Sequence, residues 1–279
     1  MEHRGHTATV VPDGQVRLER AFARAREERR LAIVMYLTVG YPEPASTPAL
    51  LRAALDGGAD VLELGVPFSD PLADGTTVQR AGEAALRHGV TLDDCIREGA
   101  AVARERDVPV LLMGYTNPFF QRGYERLAAD LHDGGLAGVI VPDMPAEESA
   151  DLDRAFGPSG LVRVDLYAPT TPEDRLARLL PSARGFVYCV SLTGVTGARE
   201  QLGGEVAGLV AAVRRHTSLP VVVGFGIASP EHVRALRGVA DGVVIGSAAL
   251  DTIAKAPANA RAVALRHFVG SLRRAGSWS

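Results

Sequence analysis

A chain of 279 residues, 47% hydrophobic and 23% charged, is long enough to bury one large core, and this composition excludes a disordered, collagen-like or disulfide-scaffold protein. The formal charge of −3 gives no general attraction to nucleic acid or to an anionic membrane. Two cysteines, Cys95 and Cys189, make no CxxC pair and read as packing residues; with no apolar leader and no apolar run of ~20 residues, a cytoplasmic location is expected.

Residues 1–15 read as a flexible N-terminal arm and 16–279 as a single catalytic domain. That domain opens with a helix over Arg17–Arg30, whose basic run from Arg24 is broken by Glu27 and Glu28 and reads as a solvated face. Short apolar, β-branched runs then recur at Ala32–Val39, Val61–Val66, Val108–Met113, Gly138–Val141, Leu161–Tyr167, Gly185–Val190, Pro220–Gly224 and Gly242–Ile245. Helical periodicity lies between them, at Thr47–Leu55, Leu92–Glu105, Tyr124–Leu131, Pro172–Leu180, Glu205–His216 and Pro230–Leu236. Strand followed by helix, repeated, means parallel strands, and strands this continuously apolar need cover on both faces. A doubly wound open sheet also meets that condition. Eight units in this length, with no distinct cap domain, favour a closed α/β fold: a single (β/α)8 TIM barrel with an extra helix over its N-terminal end.

In such a barrel the chemistry sits at the C-terminal ends of the strands. Glu63 stands alone among apolar residues in Val61-Leu62-Glu63-Leu64-Gly65-Val66, on the same side of the strand as Val61 and Gly65. Burial raises the pKa of such a carboxyl and suits it to exchange protons near neutrality. A structural ion pair with a cation from another strand is the competing reading. The loop that follows, Pro67 to Thr76, carries Asp70 and Asp74, each of which, taken alone, reads as a turn or cap residue. Gly194-Val195-Thr196-Gly197, Gly224-Phe225-Gly226-Ile227 and Gly246-Ser247-Ala248 follow the sixth, seventh and eighth strands. Any one glycine pair is a weak signal; three at adjacent strand ends point to backbone N–H groups gathered around a phosphate.

With these residues placed, the chain from about Arg17 onward resembles the tryptophan synthase α subunit family. Leu62-Glu63-Leu64-Gly65-Val66-Pro67-Phe68-Ser69-Asp70-Pro71-Leu72-Ala73-Asp74-Gly75 reproduces the family's signature, supported by the three glycine loops and by Asn117 after Tyr115. The resemblance implies retro-aldol cleavage of indole-3-glycerol phosphate to indole and glyceraldehyde 3-phosphate, with neither metal nor organic cofactor in this chain. It implies Glu63 as the general acid–base residue and Asp74 as the partner of the indole N–H. Tyr188 matches a tyrosine near the reacting centre, with a core aromatic as its bland alternative. The resemblance further implies Phe22, Tyr115 and Phe225 as walls of an apolar indole slot, Thr196 as a closing-loop residue, and Gly197, Gly226, Gly246 and Ser247 as phosphate donors. Asp70, Pro71 and Asn117 fall where the family docks a pyridoxal-phosphate-containing β subunit, as an α2β2 heterotetramer. Thr76 stands where the family usually has proline, which widens the range of open loop conformations. Two other readings are a free-standing lyase that releases indole for a specialised pathway, and a weakly active barrel kept to bind and activate a β subunit.

Overall fold

In a computed structural model, which describes residues 13–190, 198–224 and 226–278, eight parallel strands close into a barrel in chain order. The strands are β1 (Ala32–Thr38), β2 (Val61–Gly65), β3 (Val110–Met113), β4 (Gly138–Ile140), β5 (Val162–Tyr167), β6 (Val187–Val190), β7 (Val221–Gly224) and β8 (Gly242–Ile245). Each boundary lies within two residues of the one expected from sequence. β3 and β7 start just after Pro109 and Pro220, which have no N–H to give a ladder.

The helices are α1 (Gly14–Glu27), α2 (Thr47–Gly57), α3 (Thr76–Arg87), α4 (Leu92–Arg106), α5 (Thr116–Arg122), α6 (Tyr124–Gly134), α7 (Ala150–Phe156), α8 (Glu173–Leu179), α9 (Ala198–Arg214), α10 (Pro230–Ala235), α11 (Ser247–Lys255) and α12 (Arg261–Gly276). No helix among the described residues is long and apolar enough to cross a membrane.

α1 begins three residues before the expected Arg17, because the Asp13 carboxylate accepts the Gln15 N–H at 2.7 Å and caps it; residues 14 and 15, assigned to the arm, belong to this helix. It ends at Glu27, before Arg29 turns into left-handed backbone at φ 51°. Residues 1–12 of the expected arm lie outside the described residues.

Strand alternation sorts the side chains into two sets. Outward residues such as Ile33, Met35, Leu62 and Leu64 join the helices in one buried cluster. Inward residues Ala32, Val34, Val61, Leu111, Val164 and Val222 form a second cluster with Leu18, Ala21, Phe22 and Ala25 of α1. α1 therefore plugs the N-terminal end of the barrel. Asp60 locks that end: it takes two bonds from the Arg30 guanidinium, at 2.6 and 2.8 Å, and one from the Ile33 N–H at 2.9 Å. The free end is the one where the strands finish, and the polar inward residues collect there.

Candidate active site

Glu63 sits in the middle of β2, 1% exposed, and its Oε2 has no hydrogen-bond partner among the described residues. Burial pushes its carboxyl up to about 8, and the nearby Asp74 charge adds to the rise. The ion-pair reading therefore finds no support: among the described residues, no cation is paired with Glu63. Asp74, half-buried on the loop after β2, is raised to about 6 by burial, while a hydrogen bond from Tyr115 works in the opposite sense. Near neutrality, a protonated carboxyl and an ionised one stand side by side.

The loop holding Asp74 is tied down by its own contacts. The Tyr115 hydroxyl accepts the Ala73 N–H at 3.0 Å, and its ring stacks on Phe68 with centroids 5.3 Å apart. Asp74 N–H donates to the Pro71 carbonyl at 3.1 Å, and Gln79 Nε2 donates to the Asp74 carbonyl at 2.9 Å. These bonds constrain the aspartate without help from position 76, where Thr76 simply begins α3 behind Gly75.

A cavity of about 410 Å³ opens at this end of the barrel, lined by Tyr36, Asp74, Met113, Tyr188, Val244 and the 226–228 and 246–248 segments. Gly226 turns the chain after β7 at φ +77°. Gly246 caps α11, and Ser247 and Ala248, the first residues of that helix, line the cavity at the positive end of its dipole. That arrangement suits an anion. Glu63, the register neighbour of the lining residue Tyr36, is buried next to this cavity.

Asp74, Tyr188, Gly226, Gly246 and Ser247 thus meet at one cavity, and Tyr115 braces it from behind Asp74. Thr196, Gly197 and Phe225 lie outside the described residues. Asp70 and Asn117 are exposed on the outer rim, with Pro71 beside them. Phe22 requires a correction: it belongs to α1 at the opposite end of the barrel, 3% exposed and packed on Phe186 with centroids 5.5 Å apart, and it is absent from the cavity wall. Besides Tyr188, the cavity wall holds a second aromatic, Tyr36 of β1, which sequence reasoning missed. A usable signal was present, because Tyr36 has the parity of Ala32 and Val34 and lies near the strand's C-terminal end.

A closed parallel barrel with two carboxylates of separated pKa and an anion cradle after β7 and β8 defines an acid–base enzyme that acts on a small phosphorylated molecule. Comparison with known proteins sharpens this class. The family model described as tryptophan synthase alpha chain matches residues 22–274. Curated tryptophan synthase alpha chains of Roseiflexus castenholzii and Chloroflexus aurantiacus are 48% and 46% identical; each alignment covers 92% of this chain, and 99% and 97% of the relative. A solved Mycobacterium tuberculosis tryptophan synthase superposes with a TM-score of 0.87 at 35% identity, covering 94% of this chain and 99% of that one. The chain belongs to the tryptophan synthase alpha chain family, carbon–carbon lyases that cleave indole-3-glycerol phosphate in tryptophan biosynthesis. The family needs no cofactor of its own for this step.

Proposed function

We propose that Glu63 carries both proton transfers of the cleavage and that Asp74 stabilises the charge formed between them. The observation that carries this is the pair itself: a buried carboxyl at about 8 with an oxygen that has no partner among the described residues, near a second carboxyl at about 6, at the edge of a cavity whose rim suits an anion. With the substrate phosphate at Gly226, Gly246 and Ser247, protonated Glu63 donates to C3 of the indole. The ring becomes a cationic indolenine. Asp74, ionised, accepts the indole N–H and offsets the positive charge on that nitrogen. The bond between C3 and the side chain then breaks, and its electron pair returns to the ring. The hydroxyl on the departing carbon gives its proton to the Glu63 carboxylate and becomes the aldehyde. The proton given to C3 stays on the released indole, the hydroxyl proton restores Glu63, and no other reactant is consumed. Tyr188 walls the slot beside this centre, and Tyr115 holds Asp74 in place.

Glu63→Gln tests the assignment: cleavage falls below detection while glycerol 3-phosphate still binds with near wild-type affinity. Loss of both together would make Glu63 a structural residue.

The same reading places the chain in the cytoplasm as the α part of an α2β2 assembly. Solved relatives include the tryptophan synthase of Mycobacterium tuberculosis. Leu72, 93% exposed, and Phe120, 63% exposed, add exposed apolar surface near Asp70, Pro71 and Asn117. Indole formation measured with and without a β subunit tests this; turnover that is high alone and unchanged on addition is the result that excludes the assembly.

A further inference from the structure

Two tyrosines reach across the mouth of the barrel, and each lies over a glycine. A Cβ at Gly65 would collide with the Tyr36 hydroxyl, and one at Gly224 with the Tyr188 hydroxyl. Tyr36 is the direct register partner of Glu63 on the neighbouring strand. Its side chain starts level with Glu63, passes Gly246, whose added Cβ would lie 3.3 Å from the ring, and ends over Gly65, one inward position further toward the mouth. Tyr36 lines the cavity and Glu63 is buried next to it. The Tyr36 hydroxyl is buried, and the one partner it has among the described residues is the Thr38 hydroxyl, 3.2 Å away. Among the described residues, Glu63 therefore has an oxygen without a partner, and its register neighbour on β1 carries a hydroxyl held only by another hydroxyl, which is free to rotate.

We propose that Tyr36 is a positioning residue for the acid–base step: when Glu63 has given up its proton, the Tyr36 hydroxyl turns from Thr38 to the new carboxylate and holds it facing the substrate. The inference rests on the assignment of Glu63 above. Its physical basis is the cost of a buried carboxylate that has no donor. The groups that face this spot are Glu63 and Asp74, both acidic, and Tyr188 and Tyr115, whose hydroxyls burial keeps neutral. Among these described groups there is no cation, so a neutral donor is what can stabilise the ion.

Tyr36→Phe and Thr38→Val are compared with wild type by steady-state cleavage of indole-3-glycerol phosphate from pH 5.5 to 9.5. Removing the donor is expected to lower kcat about ten- to a hundredfold, the range for a hydrogen bond to a charged group, with KM changed by less than about threefold. The alkaline limb should also move to higher pH, because Glu63 gives up its proton less readily. Thr38→Val keeps the Tyr36 hydroxyl and removes its resting partner, so its limb should move to lower pH. A purely structural role would lower the plateau and leave the limb in place; an unmoved limb in Tyr36→Phe overturns the proposal whatever happens to kcat. If Tyr36→Phe is unaffected while Glu63→Gln is inactive, this inference alone falls. An active Glu63→Gln removes the reading beneath it.

Discussion

Replacing Glu63 by Gln should make the protein more stable, and increasingly so as the pH rises. The two side chains are close to isosteric, and the amide is neutral at every pH. In wild type the folded-state carboxyl titrates at about 8 against 4.5 for an unperturbed glutamate, because burial withholds water from the ion. A folded-state pKa above the unfolded one costs nothing below about pH 4.5, where both states hold the proton. The cost then grows by about 1.4 kcal/mol per pH unit and levels off above about pH 8, where both states are ionised. The variant should therefore gain under about 1 kcal/mol at pH 5, about 3 kcal/mol at pH 7 and about 5 kcal/mol at pH 8.5. Urea unfolding followed by far-UV circular dichroism at the three pH values measures this directly; the lone tryptophan, Trp278, lies near the C-terminus, far from the site in sequence, and is a poor reporter of it. A gain independent of pH, or a loss at pH 7, would refute the reasoning, since it would mean that the carboxylate is already compensated inside the barrel. A general acid kept unpaired in a core should carry this cost, and a structural ion pair should not.

In the wild-type enzyme, kcat/KM should rise through about pH 6 as Asp74 ionises and fall through about pH 8 as Glu63 loses its proton; a profile with one limb would separate the two carboxylates from the reaction. Tyr115→Phe removes the hydroxyl that bonds Ala73 and Asp74, so activity at pH 7 should fall about tenfold and the acid limb should move upward, read from the same profile. Asp60→Ala removes two of the bonds to the buried Arg30 guanidinium and leaves it only the Glu28 carboxylate, so it should cost about 2–3 kcal/mol in urea unfolding with kcat unchanged at low temperature; no loss would show that Glu28 alone satisfies the cation. Phe120→Asp should weaken binding of a β subunit at least tenfold in calorimetry without altering cleavage by the isolated chain, and unchanged affinity would place the contact elsewhere on the rim.

Much of the fold was legible because parallel barrel strands are apolar on both faces, so each appears as a short continuous run that composition alone can find. Boundaries moved where a local group decided them, such as the Asp13 cap that starts α1 early and the prolines that delay β3 and β7. Glu63 was legible for the same reason, as one carboxyl in an otherwise apolar strand. Asp74 alone reads as a turn residue, and only the long motif around it raised it to a candidate.

Phe22 and Tyr36 show where such reading stops. An aromatic on an amphipathic helix and an aromatic on an inward strand position look alike in sequence, yet α1 carries Phe22 to the plugged end of the barrel and β1 carries Tyr36 to the open one. By itself the sequence determined the number and order of the strands, the acid in β2 and the glycines after β7 and β8, because each depends on local pattern. Tertiary structure alone decided which side chains share the mouth: closing the barrel sets β1 beside β2 in a register that pairs Tyr36 with Glu63, and brings Tyr115 from β3's end to Asp74. Those neighbours, through burial and one hydrogen bond, set the two carboxylates at about 8 and about 6.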